Sequence, residues 1–298
     1  MSAIYGGTLK MMRWIGISFV SILLSATPVM ALDWSDNSIN WRYGDKFREP
    51  FNSRNIAKNI VSLTHVDAYQ YGGNFLNIDM LMSDNNDPSS VTSNAGAVEA
   101  YVVYRHTLDI GKVSGKEFKY GAVRGIGITG GFDLNTKHDA GYNSRKRMLV
   151  LGPTLKMDVP GFLDISLLAL WESNHPSISA GAFDPGYPAQ RYTYDTHPMI
   201  NAVWSIPIGT WPVSFDGFAN FIAPKGRDET GNNTVTETNI DMQVMYDIGA
   251  TMSAAKNTFR AGFEYQYWRN KFGNSNVKVG AAGGNVASTR MLRVEYHF

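Results

Sequence analysis

In this 298-residue chain, the ionisable and aromatic residues able to do chemistry recur largely at every second position. Asp79, Glu99, Asp164, Glu172, Asp216, Asp241, Asp247, Glu264 and Glu295 share one parity with Arg105, Lys156, Arg260 and Arg293, nine acids against four bases and a net of −5. Phe75, Tyr101, Phe218 and Trp268 fall on that parity too. Carboxylates accept hydrogen bonds from hydroxyls, guanidiniums donate them, and aromatic faces stack on planar rings. Such stacking is worth about 1 to 3 kcal/mol per base in nucleic-acid contexts. The set suits recognition of a small, neutral, hydroxylated solute with a planar ring, and its excess of acid disfavours phosphorylated ones. We expect Phe75, Asp79, Glu99, Tyr101, Arg105, Phe218, Asp241, Arg260, Glu264, Trp268 and Arg293 to line such a site.

Other chemistries find no support in the residues. With no Cys there is no disulfide framework, thiol nucleophile or iron-sulfur site, and the six His are scattered without a metal spacing. Gly125-Ile126-Gly127-Ile128-Thr129-Gly130 matches a dinucleotide fingerprint, but no helical pattern follows and no acid stands about 20 residues on. Asp84-Asn85-Asn86-Asp87 could grip a calcium ion, yet it lacks the glycine and distal glutamate of an EF-hand. In Glu172-Ser173-Asn174-His175, neighbouring residues on a strand point to opposite faces and nothing marks an oxyanion hole. No catalytic residue, metal or cofactor is assigned. A formal charge of +1 with no basic cluster argues against a nucleic-acid polymer as partner.

What must position the alternating residues is a set of strands. Ile240, Met242, Val244, Tyr246 and Ile248 occupy one parity and Asn239, Asp241, Gln243 and Asp247 the other, so the segment has one apolar and one polar face. The pattern recurs at 37 to 43, 59 to 71, 74 to 82, 97 to 107, 119 to 132, 147 to 157, 162 to 173, 196 to 206, 212 to 222, 237 to 248, 258 to 270 and 289 to 298, giving twelve strands. Short connections such as Gly72-Gly73, 158 to 161 and 207 to 210 alternate with long polar ones centred near Asn86, Ala140, Gly186, Asn232 and Gly280. A 12-stranded antiparallel transmembrane β-barrel has this asymmetry, with short periplasmic turns and long outer loops. A soluble sandwich would carry charge on its outer face, whereas here that face is apolar. Trp171, Trp204, Trp211, Tyr265 and Tyr267 fit interfacial girdles. We expect His65 and Asp67 inside, because a lipid-facing charge is costly; the parity of Arg124 leaves its side open.

The chain ends divide the molecule. Lys10 and Arg13, the apolar run from Trp14 to Leu24, and Val29-Met30-Ala31 read as a signal peptide over residues 1 to 31, leaving a barrel over 32 to 298. Leu292, Val294, Tyr296 and Phe298 alternate with Arg293, Glu295 and His297, a closing strand that resembles the assembly signal read by the barrel-assembly machinery. Arg145, Lys146, Arg147, Arg269, Lys271 and Arg290 should sit at the outer rim, next to the phosphates of lipopolysaccharide.

Finally, residues 34 to 44 (WSDNSINWRYG), 47 to 52 (FREPFN), 63 to 69 (LTHVDAY) and 74 to 79 (NFLNID) resemble the Tsx-like nucleoside-specific channels of the outer membrane. The resemblance implies a twelve-stranded barrel with a narrow pore lined by aromatic and ionisable residues, and nucleosides as solute. Twelve strands independently imply a narrow lumen, between the filled interior of eight and the open channel of sixteen. The expected function is an outer-membrane channel for nucleosides or similar small neutral solutes. A structural or adhesive barrel and a phospholipase-like hydrolase are the alternatives.

Overall fold

The computed structural model describes residues 32 to 178, 190 to 252 and 254 to 298; the signal-peptide segment lies outside them. The long strands are β1 (Leu32–Glu49), β2 (Asn52–Tyr69), β3 (Gly72–Ser83), β4 (Val98–Asp109), β5 (Val123–His138), β6 (Arg147–Met157), β7 (Phe162–Asn174), β8 (His197–Pro207), β9 (Val213–Ile222), β10 (Glu237–Asp247), β11 (Phe259–Arg269) and β12 (Val286–His297). Each pairs antiparallel with the next. β12 returns to β1 through six pairs, from Ser38↔His297 to Tyr43↔Leu292, so the ladder closes into a 12-stranded barrel. Closure leaves no free edge to satisfy.

Alternation decides which side each residue takes. Leu149, Leu151, Leu167, Ile200, Val244, Phe263 and Leu292 are exposed on the outer wall, while Asn40, Lys58, Ser62, Thr154, Glu264 and Thr289 are buried within. This is the reverse of a water-soluble domain. Two apolar clusters interrupt the polar interior, one of Phe47, Ile56, Ile60 and Met291 and one of Val150, Leu168, Leu170 and Met199.

Most strands match the pattern read from sequence, but the first two are 18 residues each rather than 7 and 13. Their outer parts form a hairpin that turns at Pro50 and Phe51. Lys46, Arg48, Arg54 and Lys58 there break the alternation, because this stretch runs beyond the length a bilayer requires, roughly 9 to 11 residues per strand. The other difference is at Gly72-Gly73, which opens β3 while the turn is Gln70-Tyr71. Those glycines serve close packing instead: a Cβ on Gly72 would stand 2.1 Å from the Thr107 carbonyl oxygen of β4.

Connections at one end are Gln70-Tyr71 and residues 110 to 122, 158 to 161, 208 to 212 and 248 to 258. At the other end lie the Pro50-Phe51 tip and the loops around Asn86, Ala140, Asn232 and Gly280; Gly186 is outside the described residues. The long-loop end closes over the barrel. Glu49 Oε1 receives Lys58 at 2.7 Å and Lys271 at 3.1 Å, with Lys137 at 4.0 Å. Glu172 receives Lys146 at 2.7 Å and Lys225 at 2.9 Å. Asp228 and Lys278 join two of the loops.

Candidate functional site in the barrel lumen

Inward residues of β9, β11, β12, β1 and β3 carry a chain of alternating charge that spans seven consecutive strands. Asp79 meets Arg42 at 2.7 Å, Arg42 meets Glu264 at 3.0 Å, and Glu264 meets Arg293 at 2.7 Å. Arg293 continues to Glu295 at 2.6 Å, Glu295 to Arg260 at 3.2 Å, and Arg260 to Asp216 at 2.6 Å. The register explains the order. Arg42 lies opposite Arg293, and only the Ser62 position of β2 separates β1 from Asp79 on β3. Ser62 itself accepts from Arg42 at 2.8 Å and donates to Asp79 at 2.5 Å. Two like-charged guanidiniums side by side are tolerable because the Glu264 carboxylate bridges them.

The facing wall is neutral. Thr107, Thr129, Thr154 and Ser166, from β4, β5, β6 and β7, form one hydroxyl row with oxygen separations of 2.8, 2.5 and 2.8 Å. Asn201 of β8 continues it, donating to Asn220 of β9 at 2.7 Å. Around its waist the lumen therefore offers half a ring of ion pairs and half a ring of hydroxyl and amide groups. Its middle is packed: Glu264, Thr154 and Thr289 have at most 2% of their surface exposed.

All eleven residues singled out in the sequence occupy the inward face. Asp79, Glu264, Arg260 and Arg293 join the charged chain, and Asp241 lies beside it, accepting from Gln266 at 3.0 Å. Arg105 pairs with Asp133 at 2.5 Å, and Tyr101 donates to the same carboxylate at 2.7 Å. Glu99 accepts from Asn135 at 2.5 Å and lies 3.9 Å from Lys58. The aromatics are dispersed rather than assembled. Tyr101 and Trp268 stand toward the long-loop ends of β4 and β11, Phe75 near the opposite end of β3, and Phe218 midway along β9. Trp268 is anchored to Glu237 at 2.6 Å and lies under the Lys271 ammonium, 4.5 Å from it.

Sequence reasoning missed Arg42, Lys58, Lys137 and Asp133. Lys58, Lys137 and Asp133 fall just past the strand ends expected from alternation, and Arg42 shares parity with Asn40 in a strand read as only seven residues long. Among the expected rim bases, Lys146 and Lys271 instead turn inward onto Glu172 and Glu49. Buried carboxylates outcompete a solvated rim for these flexible ammoniums. With these bases inside, the acidic excess counted from parity is reduced but not removed, because Glu49, Asp87, Asp133 and Glu237 are buried as well.

His65 and Asp67, expected inside, are on the outer wall, because the turn at Gln70-Tyr71 shifts the hairpin by two residues and keeps their parity. Each finds a partner there. Asp67 lies 3.0 Å from His65 Nε2 and accepts from Asn74 at 2.9 Å, and Asn37 lies 2.8 Å from His65 Nδ1. They sit near the short-turn end, and these hydrogen bonds offset the cost of facing outward. Arg124 falls at a β-bulge between Val123 and Gly125 and reaches the short-turn mouth. There a cavity of about 420 Å³ is lined by Asp109, Lys112, Lys116, Glu117, Arg124 and Lys156. The decoy motifs take structural roles: Gly125 and Gly127 lie inward on β5, Asp87 pairs with Lys137 at 2.9 Å, and Ser173 accepts from Arg191 at 3.3 Å.

A closed ladder, an apolar outer wall and a polar interior are what a membrane demands of strands that cross it. The protein is a bacterial outer-membrane β-barrel. No family model and no curated protein matches the chain. Among solved structures it is similar to the translocator domain of autotransporter NalP from Neisseria meningitidis, at 12% identity over 89% of this chain and 88% of that one, with a TM-score of 0.47. It is also similar to the KdgM porin in complex with disordered oligogalacturonate, at 10% identity, 88% and 99% coverage and a TM-score of 0.40. OccK11 (OpdR) from Pseudomonas aeruginosa shows 9% identity, 89% and 95% coverage and a TM-score of 0.34. The likeness to Tsx-like channels, strongest in the first third of the mature chain, rests on sequence motifs alone.

Proposed function

We propose that the barrel passes small, neutral, hydroxylated solutes, nucleosides foremost, and that the conformation described is its shut state. The observation that carries this reading is the divided waist. Charged groups on one wall accept and donate strongly, the hydroxyl row on the other does both weakly, and the charged wall, with Asp79, Asp216, Asp241, Glu264 and Glu295 against Arg42, Arg260 and Arg293, keeps an excess of acid that disfavours phosphorylated solutes. A nucleoside presents ribose hydroxyls to Asp79, Glu264 or the threonine row, and a base to Phe218 or Trp268. Binding stays weak, as transit requires. Passage needs the outer loops to lift from Glu49 and Glu172 and the arginines to swing aside.

Single-channel recording in planar bilayers tests this. Millimolar adenosine or thymidine should reduce the current, and the monophosphates should do so much less. Replacing Phe218 and Trp268 by alanine should weaken block more than it alters open conductance, whereas Asp241→Asn should chiefly change ion selectivity. No block by any nucleoside would refute the assignment of solute. The packing of Leu168, Leu170 and Met245 into the lumen, none with exposed surface, favours a second reading, a structural barrel. That protein would conduct nothing, with or without nucleoside.

A further inference from the structure

Three arginines meet at the long-loop end of the outer wall, between β6 and β7. Arg147 opens β6 opposite Ser173 of β7, and on alternation its side chain points outward with that of Ser173. Arg191 donates from one Nη1 to the Arg145 carbonyl oxygen at 2.9 Å and to Ser173 Oγ at 3.3 Å. The Arg145 backbone is fixed in turn by Asn174, whose side-chain oxygen accepts its N–H at 2.9 Å. Arg145 and Arg147 are exposed. Among the described residues no carboxylate pairs with any of the three. Burial, and then the charges of Arg147 and Arg145, hold the Arg191 guanidinium below its ordinary range. By contrast, Lys146, between two of them in sequence, turns inward to Glu172.

Directly below this cluster the outer wall is bare hydrocarbon. Leu149 is paired with Trp171 and Leu151 with Ala169, and Leu149, Leu151 and Trp171 are 59%, 52% and 45% exposed. Three cations converging without an acid repel one another unless an anion of more than one charge lies between them. Guanidiniums match phosphate oxygens in paired, planar hydrogen bonds. An anion alone would leave the apolar column below uncovered. We propose that Arg145, Arg147 and Arg191 bind the phosphorylated saccharide headgroup of an outer-leaflet glycolipid, lipopolysaccharide, whose acyl chains lie along Leu149, Leu151 and Trp171.

The test uses the full barrel in detergent, with bound lipid counted by native mass spectrometry after incubation with short-chain lipopolysaccharide. The triple variant Arg145→Gln, Arg147→Gln, Arg191→Gln should lose affinity by about tenfold or more. Arg269→Gln with Arg290→Gln, an outer-wall arginine pair elsewhere on the barrel, should lose much less. Enzymatically dephosphorylated lipopolysaccharide should bind the wild type as weakly as the intact lipid binds the triple variant. Equal loss in the two variants, or no loss in the triple variant, overturns the site. Equal binding of phosphatidylglycerol overturns the glycolipid as its occupant, and saturation by inorganic phosphate alone overturns the role of the apolar column. Unchanged heat-modifiable mobility on gels shows that the variants remain folded.

Discussion

Arg42 shows what the lumen asks of a single residue. It bridges Asp79 and Glu264; Asp79 has its ion pair with Arg42, and Glu264 divides its two oxygens between Arg42 and Arg293. Arg42→Met would leave those acids in a buried place with less countercharge, at a cost of about 3 to 5 kcal/mol for breaking a buried pair from one side. Urea unfolding followed by tryptophan fluorescence should show a lowered midpoint. The double variant Arg42→Met, Asp79→Leu should recover part of the loss, since it removes the stranded carboxylate along with the pair, while Glu264 keeps Arg293. Inward placement of such residues was legible wherever a strand was flanked by lipid, because the apolar parity then names the polar one. It failed at Lys58 and Asp133 because strand limits were read from alternation, and alternation stops where lipid stops; Arg42, inside the strand at 37 to 43, shares the inward parity of Asn40 between exposed Trp41 and Tyr43. The pairing itself could not be read at all, since Arg42 and Glu264 are brought together only when the ladder closes.

Strands in this barrel approach one another closely at defined glycines. Gly152 of β6 is the clearest: a Cβ there would stand 1.9 Å from the Leu167 carbonyl oxygen and 3.0 Å from the Leu168 Cα on β7. Backbone cannot step aside as a side-chain tip can. Gly152→Ala should therefore cost about 1 to 3 kcal/mol through overpacking, read as a lower urea midpoint, whereas Gly121→Ala, with nothing within 4 Å of the added carbon, should show only the modest strain of its positive φ. The sequence showed a glycine-rich chain and a repeated short-turn rhythm, and from these the number and order of strands were correct. It assigned Gly72-Gly73 to a turn because turns and tight interstrand contacts use glycine for different reasons that leave the same letter. The 18-residue hairpin was likewise foreshortened, as beyond the bilayer Lys46 and Arg54 lie exposed while Phe47, Ile56 and Ile60 are buried, the reverse of the pattern read for the lipid-facing stretch.

For the molecule as a whole, the question is what ties the long-loop end together. Glu49 is the point where a hairpin, β2, β5 and the 270 to 285 loop are tied by Lys58, Lys137 and Lys271. Glu49→Gln would keep the shape of the side chain and remove the charge, setting three ammoniums against one another. We expect more frequent opening events in planar-bilayer recordings and faster proteolysis within residues 270 to 285; unchanged gating would show that this knot does not control the pore. The seam between β1 and β12 bears on time rather than space. Residues 38 to 43 pair with 292 to 297, so the first strand of the wall waits for the last. Until that strand has emerged, two edges stand open and a greasy exterior faces water, and the slow, long-range closure that follows invites aggregation. The wall is therefore complete all at once, when its two ends meet, and before that moment the chain has no partly built form that water would tolerate.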